Sequence, residues 1–185
     1  MRKLIIGLSL LLATASFGKE IGGVTLPDTY KAGDAELKLN GAGLRKKLFI
    51  KVYAGGLYLK SKSSDAEKII DADEPMAVRM HFIYDGVSTE KLIGAWNEGF
   101  AAALGSDMAS LQKEIDAFNA LFTKEAKEGD IYDVVYVPGK GVEVKFNGNS
   151  NGVVEGADFK KAVFSIWLGK DVGDLKSLKK SMLGK

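Results

Sequence analysis

The stretch GAGLRKKLFIKVYAGGLYL, residues 41–59, decides the reading of the fold. Just before it, apolar and charged residues alternate from Ala35 to Leu39, the pattern of a half-buried strand. Gly41-Ala42-Gly43 reads as a break, after which Leu48 to Leu59 is rich in Phe, Ile, Val, Tyr and Leu. Two adjacent strands are predicted. On local grounds Arg45, in Arg45-Lys46-Lys47, is a solvated turn cation.

Working outward, Ser64, Asp65 and Glu67 mark a short helix start, and Asp71 to Pro75 is a polar stop before a strand over Met76 to Tyr84. In that strand Met76, Val78, Met80, Phe82 and Tyr84 share one face, and Ala77, Arg79, His81 and Asp85 the other. His81 therefore reads as a surface or rim residue. The period then becomes helical. Ser88 caps, Glu90 suits the positive first turn, and Leu92, Trp96, Phe100 and Ala103 recur at steps of three and four. Past Gly105 a second helical stripe carries Met108, Leu111, Ile115, Phe118 and Phe122. Tyr132 to Val137, Pro138-Gly139-Lys140-Gly141 and Val142 to Phe146 read as a hairpin. Asn147-Gly148 and Asn151-Gly152 punctuate the way to a strand at Val153-Val154. Phe159, Ala162, Val163, Ile166 and Trp167 mark a helix stopping at Gly169, and Asp174 caps a last one bearing Leu175, Leu178 and Met182. Strands, helices, strands, helices is an α+β order: a mostly antiparallel sheet with a layer of helices on one face.

The chain has 185 residues, 46% hydrophobic and 27% charged, which suits one globular domain. It has no Cys and one His, so thiol nucleophiles, zinc ribbons, disulfides and His-rich metal clusters are excluded. Arg2 and Lys3, the apolar run Leu4 to Leu12, and the small residues from Ala13 to Gly18 read as a cleaved secretory signal over residues 1–18, ahead of a single domain over 19–185. The run falls well short of the ~20 apolar residues that span a bilayer, so no stable membrane anchor is expected after cleavage. Cleavage after Ala15 or Gly18 removes two basic residues and no acid, leaving 24 of each sign. A neutral exported chain has no electrostatic footprint for nucleic acid. Export of a Cys-free chain is most simply bacterial and periplasmic. Gly41-Ala42-Gly43 lacks the third Gly and following helix of a dinucleotide loop, and there is no Walker loop and no HExxH. No cofactor is expected. Aromatic residues at helical spacing read first as core.

The stretch over residues 41–59, together with EGADFKKAVFSIWLG over 155–169, resembles the chalcone isomerase-like family, in particular its exported bacterial branch. The resemblance runs from about Gly33 to Gly169 and implies an open-faced sandwich with a ligand cleft between sheet and helices. In the catalytic branch an Arg holds a phenolate while Thr, Tyr and Asn side chains assist a developing enolate. The Arg corresponds to Arg45, but the strand Thr falls on Tyr53, the helix Tyr and Asn on Lys91 and Glu98, and the late-helix Ser or Thr on Ile166. Asn97 is one position away, ~100° around the helix. Loss of the donors argues against ring closure, because preorganised donors supply much of such catalysis.

The Arg and Tyr pair is instead similar to the fatty-acid-binding, non-catalytic branch, where the two grip a carboxylate and the acyl chain lies along an apolar cleft. The resemblance implies Arg45 and Tyr53 as the carboxylate grip, with Tyr84, Trp96 and Phe100, and also Phe82, Phe118 and Phe164, as the apolar wall. On one straight strand the eight steps from Arg45 to Tyr53 would separate them by ~26 Å, so the chain must turn or bulge between them. Lys46-Lys47 is the natural kink, and Gly55-Gly56 lets the second strand bend. The two side chains are then expected to project into one cleft. The expected function is a periplasmic binder of a fatty acid or similar amphipathic carboxylate. An isomerase or intramolecular lyase on an unknown substrate, and a structural or partner-binding module with a filled cleft, stay open as alternatives.

Overall fold

The computed structural model describes residues 18–185, so the secretory signal read over residues 1–18 lies, but for Gly18, outside the described residues. Nine strands and five helices follow in order: β1 (Gly18–Ile21), β2 (Val24–Pro27), β3 (Thr29–Ala32), β4 (Ala35–Lys47), β5 (Ile50–Leu59), α1 (Ala66–Asp71), β6 (Met76–Phe82), α2 (Thr89–Leu104), α3 (Gln112–Asn119), β7 (Ile131–Val137), β8 (Gly141–Phe146), β9 (Asn149–Val154), α4 (Ala157–Leu168) and α5 (Lys176–Met182). Strands β3 to β9 form one antiparallel sheet in which every strand pairs with its sequence neighbours. The helices bury Leu92, Trp96, Phe100, Ile115, Phe118, Phe159, Val163, Trp167 and Leu178 against one face of it. This is the α+β arrangement expected from the periodicity.

The Gly41-Ala42-Gly43 break is not a break. β4 runs through it for 13 residues, with a bulge between Leu39 and Gly41 and a second irregularity at Arg45/Lys46. The extra residue, Asn40, bonds through its amide to the carbonyls of Ser63 and Met182, each at 2.8 Å, and accepts the Ser63 N–H. Its glycines serve packing. A Cβ on Gly41 would run into the backbone carbonyls of Ser181 and Met182, and one on Gly43 would lie 2.6 Å from the Ser181 Cβ. α5 therefore lies directly on β4, closer than any side chain would allow. The hairpin turn also falls later than the Lys46-Lys47 pair. Lys47 pairs with Ile50, and Leu48 and Phe49 make the turn, with Leu48 at φ 55°.

The opposite face of the sheet is covered by two smaller clusters. Ile21, Val24 and Leu26 of the β1–β2 hairpin pack on Ala42, Leu44 and Ala54. The sheet also curls so that β3 reaches β6 and β7, and Tyr30 joins Leu37, Tyr58, Ala77 and Val135. Here Arg79 forms a two-pronged ion pair with Asp133, at 2.8 and 2.9 Å, and its guanidinium lies over the Tyr30 ring at 5.1 Å. Asp133 is buried. His81 is half-buried beside them, and burial, followed by the Arg79 charge, lowers its pKa. The β1–β2 hairpin and β3 went unread in the sequence, although Gly22-Gly23 followed by Val24-Thr25-Leu26 carries the signal of a turn and a strand. Asn147-Gly148 proves to be a tight two-residue turn, φ 48° and 83°, so β9 begins at Asn149 and Asn151-Gly152 lies inside it.

Candidate functional site

Arg45 on β4 stands directly opposite Tyr53 on β5, and Tyr53 in turn opposite Phe82 on β6. Cross-strand partners share a face, so the hairpin brings Arg45 and Tyr53 together on the helix-covered side of the sheet. Tyr53 is buried and its oxygen accepts a hydrogen bond from the Trp167 indole N–H at 3.1 Å. Burial pushes the Tyr53 phenol up to about 12, against the opposing pull of Trp167 and the Arg45 charge. At neutral pH it is a neutral donor. The Arg45 side chain is 15% exposed, with Nη1 donating to the Lys46 carbonyl at 2.6 Å and Nη2 at 3.0 Å from Asp174 Oδ1. Asp174 belongs to the short 3-10 turn Gly173–Leu175 ahead of α5, and 59% of its side chain meets solvent. Its carboxylate engages the guanidinium through Nη2.

Behind Tyr53 the aromatic side chains pack on one another. Tyr53 meets Phe82 at 5.5 Å between ring centroids, and Trp96 meets Trp167 at 5.5 Å and Phe122 at 5.2 Å. Phe100 packs on Phe118 and Phe159, at 5.7 and 5.9 Å. Phe164 is fully buried in the same cluster. Trp96 and Phe100, expected to line an apolar slot, thus contact their neighbours as core. One polar atom in the cluster is orphaned: the Trp96 indole N–H is buried without an acceptor. Trp167→Phe is therefore expected to cost about 1 kcal/mol more than Trp96→Phe, since only the former breaks a made bond. Urea denaturation of the two variants checks this; equal losses would remove the Tyr53–Trp167 bond from the account of the site.

Tyr84 falls outside the cluster. The β6 ladder ends at Phe82, and the N–H groups of Ile83 and Tyr84 both reach the Val52 carbonyl, at 3.0 and 3.2 Å. That irregularity breaks the alternation and leaves Tyr84 41% exposed, not on the core face its spacing predicted. Of the positions matched to catalytic donors, Lys91 and Glu98 are exposed on α2 and Ile166 is buried on α4.

A second feature had no signal in the sequence. A surface groove of about 420 Å³ is lined by Asp71, Asp73, Tyr136, Lys140, Lys160 and Lys161. Lys160 is buried there, and burial pulls its ammonium down to about 8. Its Nζ donates to the carbonyls of Ile70 and Ala72, each at 2.6 Å, and so closes the C-terminal end of α1. That role is structural. Among the described residues no group of three or more His, Asp and Glu side chains could hold a metal ion, and no helix is long and apolar enough to cross a membrane.

A family model described as chalcone isomerase-like matches residues 18–184. Among solved structures, a fatty-acid binding protein of Arabidopsis thaliana superposes with a TM-score of 0.70 at 21% identity, over 87% of this chain and 92% of that one. No curated protein sequence matches.

Proposed function

The chain belongs to the chalcone isomerase-like family, and from that premise we propose that it is an exported, periplasmic, non-catalytic binder of a fatty acid or similar amphipathic carboxylate. The observation that carries the reading is the pairing of Arg45 with Tyr53 on one face of the β4–β5 hairpin. A guanidinium offers a planar fork to two carboxylate oxygens, and a neutral phenol adds a donor. Asp174 at 3.0 Å marks that fork as one that takes a carboxylate. The structural relative's fatty-acid binding supports the same direction. Export rests on the run Leu4–Leu12 behind Arg2 and Lys3. The absence of hydroxyl or amide side chains at Lys91, Glu98 and Ile166 weighs against isomerase chemistry.

A second reading has its own observation. The close ring contacts of Trp96 with Phe122 and Trp167 favour a module whose cleft is filled by its own side chains. Titration with palmitate separates the two. In the binder, Arg45→Ala loses a charge-assisted contact of about 1.5–3 kcal/mol, roughly a 10- to 100-fold weakening. Asp174→Ala, by removing the internal competitor, binds more tightly than wild type. Mass spectrometry of lipid extracted from the purified protein identifies the natural ligand. If Arg45→Ala carries the same ligand as wild type, Arg45 is not the grip; if wild type binds none, the filled module is the better description.

A further inference from the structure

The β4–β5 hairpin does not end with the sheet. β6 pairs with β5 only from Tyr53 onward, and Val52 is held by the Ile83 and Tyr84 N–H groups, so Lys46 to Lys51 project as a two-stranded arm of about 10 Å. At its tip Leu48 is 87% exposed, Phe49 98% and Ile50 45%. They are consecutive, and Lys46, Lys47 and Lys51, all exposed, flank them. Among the described residues none of these three lysines enters an ion pair. Leu48 also holds a left-handed backbone, φ 55°, where glycine or asparagine would fit with less strain. The turn thus keeps a large apolar side chain at a position that disfavours it, and presents it to water. Tyr84, bonded through its N–H to the Val52 carbonyl, stands exposed at the root of the arm.

We infer that this tip docks the protein, reversibly, on an anionic phospholipid bilayer, with Leu48, Phe49 and Ile50 entering the interface and the three lysines meeting the headgroups. A projecting apolar point needs no complementary groove when it enters a fluid layer, and the interfacial zone is deep enough, ~5–10 Å, to receive it. Basic residues beside the inserted group are drawn to a negative surface and act within a Debye length of it. An aromatic phenol at the arm's root suits headgroup level. The inference is independent of what Arg45 binds, although Arg45 and Tyr53 lie at the base of the same arm.

The test places a reporter at the tip. Trp96 and Trp167 are buried and insensitive to a surface event, so in the full chain carrying Phe49→Trp the new indole alone should respond. On vesicles of equal parts phosphatidylglycerol and phosphatidylethanolamine its emission shifts to the blue and is quenched by brominated acyl chains. Adding Lys46→Glu, Lys47→Glu and Lys51→Glu, or raising the salt to about 0.5 M, weakens the vesicle response at least tenfold. Association through Leu4–Leu12 would leave the tip reporter unshifted. An unchanged emission on anionic vesicles overturns the inference. So does an equal response on phosphatidylcholine alone, or a shift that appears with rising protein concentration in the absence of vesicles, which would make the tip a contact between two copies.

Discussion

Asp133→Ala is expected to cost about 3–5 kcal/mol of stability, because it leaves the Arg79 guanidinium largely buried without its partner. Asp133 meets Arg79 with both carboxylate oxygens, across β6 and β7, under the curl that brings Tyr30 over the pair. Desolvating an ion pair offsets most of its attraction, so the pair itself is worth little, but half of it is a liability. The double variant Arg79→Met with Asp133→Leu should therefore recover most of what Asp133→Ala loses. Denaturant midpoints measure both. A loss below about 1 kcal/mol for the single variant would mean that water reaches Arg79 freely and that the curl is looser than described.

Gly41→Ala should cost about 3 kcal/mol, although it adds a single methyl group, because the atoms it meets are backbone and cannot rotate aside. Ser181 and Met182 would have to withdraw, taking with them the Asn40 bond to the Met182 carbonyl and the docking of Leu178 and Met182. Gly94, with open space around its Cβ position, is the control: an alanine there stabilises α2 or leaves it unchanged. If the two alanines behave alike, the close approach of α5 to β4 is not what Gly41 is for.

The architecture was legible wherever one period persisted. Met76, Val78, Met80 and Phe82 recur at every second position and lie on a strand; Leu92, Trp96 and Phe100 repeat at four and form a buried helix face. Reading failed where one residue carried two meanings. Gly41-Ala42-Gly43 has the composition of a break, yet its purpose is contact with a helix 140 residues later, which no local pattern encodes. Tyr84 continues the alternation of β6 in sequence, but the hydrogen bonds that the Ile83 and Tyr84 N–H groups both donate to the Val52 carbonyl turn it outward. At the candidate site local pattern read Arg45 as a solvated turn cation; the family resemblance implied its meeting with Tyr53, and register puts the two opposite each other. Two features there come only from tertiary structure: Asp174, brought to Arg45 by the turn before α5, and Trp167, which reaches Tyr53 across 114 positions.

The order of the seven-stranded sheet carries a consequence for how the chain assembles. Since β4 to β9 each pair with the strand before, most of the sheet can zip up by closing short loops, while the β6–β7 pairing reaches across α2 and α3. α5 reaches furthest: its seat on β4 joins chain segments some 140 positions apart, so the C-terminal helix latches the start of the sheet. Asp174 rides on that latch, and the guanidinium it faces acquires its counter-charge only when the last segment closes.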